Sequence, residues 1–561
     1  MNLTSSAPDE TAALVELVRG PITPDIEQRL NHAIGQRPRD IRLKFAQGDL
    51  LAKTGRTDQA LEMLRGLKEA HPANPWVALR IVRVLLAKGE TEEAAATFVA
   101  GVWNSTLAEA ETVGALSDIA SALRGYAARR AFLTSLLAEN ASDRFVLVKL
   151  GSLAFREGDR AEATRLFDAA AALGPLPAEA GPLHLELLMV SGRANDALAA
   201  ALEILRARPD RLDVARRAIL AARLARRTDV LVPLLRDALE RWPNDWLLVF
   251  RYNRALCPFD LDHALFQKLG THADALAADD RWMFQFALAC LRHKDTGRAL
   301  AILRRLRPES PVAHMSEPLL AALGSRPDEA WCNPRGVSND PAEDVQLRRV
   351  PDARATLIVL AGVQGGLGYL PYSHADVLVT SLPANVIYLK DRRELAFTGG
   401  VASLGPDEAA TVAALKDMLA QLGGVPTITL GASLGGASAV RLGSLIGAKA
   451  ALSFAGPLQW SAAGTGDDDS EVSRSRLRNA MYSAFTNVET SLVDMIAASP
   501  ATEVHHFYGE GHQIDAQVVE TLRDLPNFRR HGVSGCDHHY VMSHLIATGA
   551  FDLFLRQLIE G

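Results

Sequence analysis

The chain has 561 residues, of which 48% are hydrophobic and 22% charged, with a formal charge of −6 at pH 7. That length exceeds what a single hydrophobic core serves and predicts two or more domains. The negative balance lacks the basic surface that nucleic acid requires, so nucleic acid is not an expected partner. Cys257, Cys290, Cys332 and Cys536 are few and far apart, which suits a reducing compartment. The start has no basic segment leading into an apolar run, and no stretch is apolar enough to span a bilayer, so a cytoplasmic protein without a membrane span is expected.

Residues 1–325 read as helices rich in Ala, Leu and Arg, and they repeat. Gly55 is followed by Ala60 and Gly89 by Ala94, a shift of 34 residues; the pair returns as Gly158 with Ala163 and as Gly192 with Ala197, again 34 apart. Pro72, Pro175, Pro209 and Pro311 each fall 12 residues after the alanine of their unit. A glycine to end the first helix, a small residue where the second packs closely and a proline to close the unit resemble tetratricopeptide repeats, with degenerate copies around 105–140 and 226–290. Such a solenoid implies a protein partner on its concave face; a spacer arm or a homo-oligomer formed through the repeats is the plainer expectation.

The Pro-, Gly- and Asn-rich stretch at 326–353 reads as a linker. From 354 to 561 the pattern changes to short β-rich runs, "ATLIVLAG", "NVIYLKD", "VPTITLG", "AKAALSFAG", "TEVHHFYG" and "NFRRHGV", alternating with helical segments. This alternation predicts an α/β domain with a parallel sheet covered on both faces, and reactive groups at the carboxyl ends of its strands. The connection at 459–500 is too long for an ordinary loop and is expected to form a helical cap insertion with an acidic hinge at Asp467–Asp469.

Between the third of these strands and a small-residue helix lies Gly431-Ala432-Ser433-Leu434-Gly435, the G-x-S-x-G spacing that exposes a serine on a sharp turn. The rival glycine-loop motifs fail: no Lys-Ser or Lys-Thr follows Gly436, and "AGVQGGLGYL" lacks the dinucleotide spacing. A serine needs a base and an orienting carboxylate. Asp515 beyond "TEVHHFYG" and His538 or His539 beyond the last strand supply them in the order Ser, acid, His. The Gly-x-Asp-His character of "GCDHH" favours His538 over His539, and Asp537 and Glu510 are secondary acids. Backbone N–H groups of Leu434 and of Val363 or Gln364 are the expected oxyanion donors. Asp391, at the end of the second strand, is either a substrate contact or a partner of Arg392 or Arg393. Seven of the 15 histidines lie between 505 and 544 without ligand spacing, so no metal or other cofactor is expected.

On "NVIYLKDRRELAFTGG", "TITLGASLGGASAVRLGSLIGAKAALSFAGP" and "FYGEGHQIDAQVVETL", the last 210 or so residues resemble the α/β-hydrolase superfamily. They look most like a bacterial group associated with surface-polysaccharide and glycoprotein-glycan genes, which includes accessory-secretion carbohydrate acetyltransferase-like proteins. The resemblance implies a Ser433, Asp515, His538 triad acting on an acyl ester, as esterase or acyltransferase, with a glycan as substrate or acceptor. The other expectation is a non-catalytic adaptor that uses the hydrolase fold and the repeats for binding.

Overall fold

The computed structural model describes residues 10–140, 142–332, 336–458 and 491–561. The chain divides into two compact units, Met1–Leu187 and Leu188–Gly561.

The first unit is a stack of helix pairs, among them Ile41–Lys53 with Thr57–Ala70, Pro75–Lys88 with Thr91–Gly101, and Arg144–Arg156 with Arg160–Leu173. The pairing follows from the repeated residues. Gly55, Gly89 and Gly158 take positive φ of 78°, 85° and 82°, the left-handed conformation that ends a helix at little steric cost when no Cβ is present. The turn is closed by the Gly89 N–H on Leu86 O and the Glu90 N–H on Leu85 O. Ala60, Ala94 and Ala163 are wholly buried between the helices, where a larger side chain would push the pair apart. The core they share runs from Ala60 through Phe98, Leu133 and Phe167 to Leu187.

The second unit opens with helix pairs of the same kind, among them Leu212–Leu224 with Thr228–Arg241 and Asp280–Arg292 with Thr296–Leu303, so helical repeats occupy the first 330 residues or so. A mixed α/β domain follows. Its strands are β1 (Val345–Arg348), β2 (Ala355–Leu360), β3 (Gly366–Leu367), β4 (Leu370–Pro371), β5 (Ala384–Leu389), β6 (Thr427–Ala432), β7 (Ala450–Phe454), β8 (Glu503–Gly509) and β9 (Phe528–Val533). Seven of them form one sheet in the order β1-β5-β2-β6-β7-β8-β9, and β3 pairs with β4 apart from it. Only β1 runs antiparallel to its neighbour in that sheet. Every residue of β2, β5 and β6 is buried, the signature of strands covered on both faces. The chain passes from β2 to β5 on one side and returns to β6 on the other, so the strand order reverses at the carboxyl ends of β2 and β6. A crevice opens there in sheets of this kind.

The stretch expected to be a linker is instead built into this unit. It holds the helix Asp328–Cys332 and strand β1, and Trp331 is wholly buried. Its turn-forming residues make specific bonds. Asn339 accepts from the Ser373 N–H at 3.0 Å and donates to Ser373 Oγ at 2.9 Å, and Asp344 accepts from the Ser403 N–H at 3.1 Å. One apolar core runs through the repeats and the sheet without a break, from Leu188 through Phe284 and Trp331 to Leu430 and Ile559. The cap expected at 459–500 lies, up to residue 490 and including Asp467–Asp469, outside the described residues; its last part holds the helix Leu492–Ala498. Among the described residues no helix is long and apolar enough to cross a membrane.

Candidate active site

Ser433 stands between the last residue of β6 and the helix Leu434–Ile446, with φ 52° and ψ −126°. A non-glycine residue held at that angle is strained, and strain of this kind collects at functional sites. The flanking glycines make the turn possible. A Cβ on Gly431 would collide with the Gly435 carbonyl, and one on Gly435 would stand 2.7 Å from Leu360 O. The Ser433 N–H donates to Phe454 O at 2.8 Å, tying the turn to β7, and the residue stays half-buried.

His539 Nε2 lies 3.1 Å from Ser433 Oγ, and His539 Nδ1 lies 2.9 and 3.2 Å from the two carboxylate oxygens of Asp515. An ionised carboxylate only accepts, so Nδ1 carries the proton and Nε2 is left to accept from the serine hydroxyl. Asp515 is buried on the helix Gln513–Glu520, which follows β8, and His539 follows β9. All three groups therefore gather at the carboxyl ends of parallel strands. Burial pushes the Asp515 carboxyl up, but the His539 hydrogen bond and the nearby His539, His512 and His506 rings outweigh it and hold the group below its ordinary value.

His538 is not the histidine that meets the serine. Its Nδ1 accepts from the Tyr540 N–H at 3.2 Å and lies 3.4 Å from Cys536 Sγ, which fastens the ring at the start of the helix Val541–Ala547. The adjacent histidine, held as the alternative, is the one aimed at Ser433. Neither Glu510 nor Asp537 has a hydrogen bond to His539 among the described residues; Asp515 takes that place.

Asp391 also has a different task from those expected. Its carboxylate accepts from the backbone N–H groups of Arg393 at 3.0 Å, Leu395 at 2.7 Å and Phe397 at 2.9 Å. It is thus committed to folding a loop in which Glu394, Ala396 and Phe397 all have positive φ. Among the described residues it pairs with neither arginine side chain; Arg393 bonds instead to the carbonyls of Gly399, Gly405 and Pro406.

The loop after β2 lies against the serine turn, since a Cβ on Gly362 would be 3.2 Å from Ala432 O. The Gly365 N–H donates to Gly362 O at 3.0 Å. Val363 and Gln364 are therefore the central residues of a tight turn, and among the described residues neither N–H is spent on a backbone carbonyl. Val363 and Leu434 line one small cavity together with Asp391 and Phe397, while Gln364 lines an adjoining one.

Three further residues of the site carry no separate signal in the sequence. His512 Nδ1 lies 3.0 Å from Asp515 Oδ2, so a second imidazole faces the same carboxylate. Among the described residues, His512, Asp515 and His539 are the one group whose ligand atoms come within 4.8 Å of one another in the manner of a metal site. His506 is wholly buried near Asp515 and His539, with its Nδ1 3.2 Å from Ser453 Oγ, and burial pushes it down to about 4. Lys390 lines both cavities and donates to Asp340 O at 2.6 Å, and burial pushes its ammonium down to about 8.

The tetratricopeptide repeat family matches residues 51–102, and the N-terminal region carries such repeats. No curated protein matches the chain in sequence. Among solved structures it is similar to that of Pseudomonas aeruginosa PilF, with 18% identity over 37% of this chain and 96% of that one and a TM-score of 0.25. A tetratricopeptide repeat protein from Parabacteroides merdae shows 14% identity over 49% and 96%, with a TM-score of 0.23. MenH from S. aureus shows 14% identity over 38% and 99%, with a TM-score of 0.26.

Proposed function

We propose that the C-terminal domain is a serine esterase or acyltransferase of the α/β-hydrolase type. The observation that carries this reading is the unbroken hydrogen-bond chain from Ser433 through His539 to Asp515, on a serine held at positive φ. In it, His539 Nε2 takes the hydroxyl proton as Ser433 Oγ bonds to the acyl carbon. The carbonyl oxygen becomes an oxyanion facing the N–H groups of Leu434 and of Val363 or Gln364. Collapse expels the alcohol, which takes the proton from His539, and leaves an acyl-serine. Water then completes hydrolysis, or a sugar hydroxyl completes transfer, with His539 again as base. Asp515 holds the imidazole in the tautomer that accepts from serine.

A bacterial surface or secreted polysaccharide, met in the cytoplasm, is the substrate that the sequence resemblance favours. The repeats bring a protein partner, as tetratricopeptide modules typically do. They also support the second reading, an adaptor without chemistry.

A fluorophosphonate probe separates the two. The enzyme reading expects labelling at Ser433 and its complete loss in Ser433→Ala. With a short acyl ester, His539→Ala and Asp515→Asn should each lose about 10⁴-fold or more in kcat, and His538→Ala less than about tenfold. An unlabelled native protein leaves the adaptor.

A further inference from the structure

Asp515 faces two imidazoles where a serine triad uses one. His539 Nδ1 lies 2.9 Å and His512 Nδ1 3.0 Å from the same carboxylate oxygen, Oδ2. His512 is also the N-cap of the helix Gln513–Glu520, its Nδ1 accepting from the Asp515 N–H at 3.4 Å. That cap uses the Nδ1 lone pair, so an unprotonated nitrogen and an ionised oxygen, both acceptors, face each other at 3.0 Å. A cation between them turns the repulsion into two bonds.

A third donor is within reach. The ligand atoms of His512, Asp515 and His539 all lie within 4.8 Å of one another. Bonds of about 2.1 Å at tetrahedral angles set the donors of a zinc ion about 3.4 Å apart, so small movements of the two rings seat it. Two imidazoles and one carboxylate suit Zn²⁺ and not Mg²⁺ or Ca²⁺, which take oxygen ligands. Asp515 is buried while both rings are half-buried, so the ion enters from the ring side and a water completes its shell. Sequence spacing does not announce the set, since His512 and Asp515 follow β8 and His539 comes from beyond β9.

We infer that His512, Asp515 and His539 form a zinc site that switches the candidate active site off. Zinc gives up water and takes the Nδ1 lone pair of His539, whose proton moves through solvent to Nε2; the ring stays neutral and no proton is gained or lost. Nε2–H then donates to Ser433 Oγ, the outer partner that a ligating imidazole requires. The 3.1 Å contact remains but runs the other way, so the ring no longer accepts the serine proton. Inhibition rests on the reading of Ser433 as nucleophile; the binding of zinc does not.

The test is calorimetric titration of chelator-treated full-length protein with zinc chloride, where one equivalent should bind, and with magnesium chloride, which should not. Co²⁺ in place of zinc should show the visible absorption of a four-coordinate ion. His512→Asn keeps a side chain that caps helices and removes the second imidazole. It should fold as the native protein does and bind zinc about 100-fold more weakly or worse. One equivalent of zinc should slow fluorophosphonate labelling of the native protein about tenfold or more, and a chelator should restore it. In His512→Asn the same zinc should leave that variant's own labelling rate unchanged. Native protein that takes up no stoichiometric zinc, a His512→Asn variant that binds it equally well, or native labelling that zinc does not slow overturns the proposal. A protein that binds one zinc through His512 yet takes no fluorophosphonate when metal-free would keep the zinc site and lose the catalytic reading alone.

Discussion

The repeats of the first unit and those of the second share one 34-residue grammar and differ in what their helices pack against. In the first, the helix pairs bury their apolar faces on one another, and their ion pairs, such as Arg65 with Glu93, stand half exposed at the surface. In the second, the same kind of helix shares a core with the sheet. Phe284 meets Tyr369 edge-on at 5.6 Å, Thr296 meets His374 at 2.8 Å, and Arg223 reaches Glu394 in the loop after β5. A repeat period states how a helix packs on its partner within the pair. It does not state which surface the outer face meets.

The largest effect expected from this difference is on truncation. A chain beginning near residue 178 keeps the core from Leu188 to Ile559 whole and should fold and label with fluorophosphonate. One beginning near residue 345 loses Phe284, Trp331 and the rest of the helical half of that core and should be insoluble or molten. Circular dichroism and dye binding on the two chains decide it. A soluble, cooperatively folded chain from 345 would mean that the sheet does not need its repeats. At the scale of one pair, Arg223→Met leaves the Glu394 carboxylate, 16% exposed, without its partner and should cost about 3–5 kcal/mol. Arg65→Met in the first unit removes a pair whose members are 51% and 50% exposed and should cost no more than about 1 kcal/mol. Urea titration of both variants measures the contrast.

Acid should also separate the units. His374 and His506 are wholly buried in the second, and burial pushes each down to about 4. His374 is bonded as a neutral ring. Thr296 Oγ donates to Trp331 O at 3.0 Å and so accepts from His374 Nε2, which leaves Nδ1 to accept from Ser373. A histidine with a depressed folded value binds its proton more readily when unfolded. Its contribution is complete above the unfolded value of about 6.5 and is lost as pH falls from there towards 4, at up to about 1.4 kcal/mol per pH unit for each ring. In the first unit His32 and His71 are exposed and His184 is paired with Asp168 at 2.7 Å. Calorimetry between pH 7.5 and 5 should show the melting of the second unit moving down further than that of the first. Equal shifts would remove the buried rings as the cause.

What was legible in the sequence follows the same division. Five of the six β-rich runs became β2, β5, β6, β7 and β8 because central parallel strands must be largely apolar on both faces, and the sixth, "NFRRHGV", became β9, a mostly exposed parallel edge. Strand β1, "VQLR", has no such run, since it is a partly exposed antiparallel edge. The serine turn was legible because sterics leave only glycine at 431 and 435. The choice between His538 and His539 was not, because it depends on which ring takes the Tyr540 N–H, a bond that the local spelling "CDHHY" does not decide. Asp391 ends a strand as a substrate contact would, yet its three backbone donors come from a loop whose fold only the whole domain sets.

The smallest effect concerns the turn residues themselves and tests whether the two sets of repeats obey one steric rule. Gly158, in the first unit, has φ 82° and open space where a Cβ would go, so Gly158→Ala meets no neighbour and carries only the conformational cost of a side chain at positive φ, about 1 kcal/mol. Two 34-residue periods on, in the second unit, Arg226 ends its helix with φ 55°. Arg226, at the equivalent place, already bears that cost, so Arg226→Gly should recover a similar amount less the entropy that glycine adds to the unfolded chain, a net gain of about 0.5 kcal/mol or less. The two variants should thus move the urea midpoint in opposite directions with no change in slope. If Arg226→Gly instead destabilises by more than about 1 kcal/mol, the arginine is a packing residue of the fold, and the steric equivalence of the two turns does not hold.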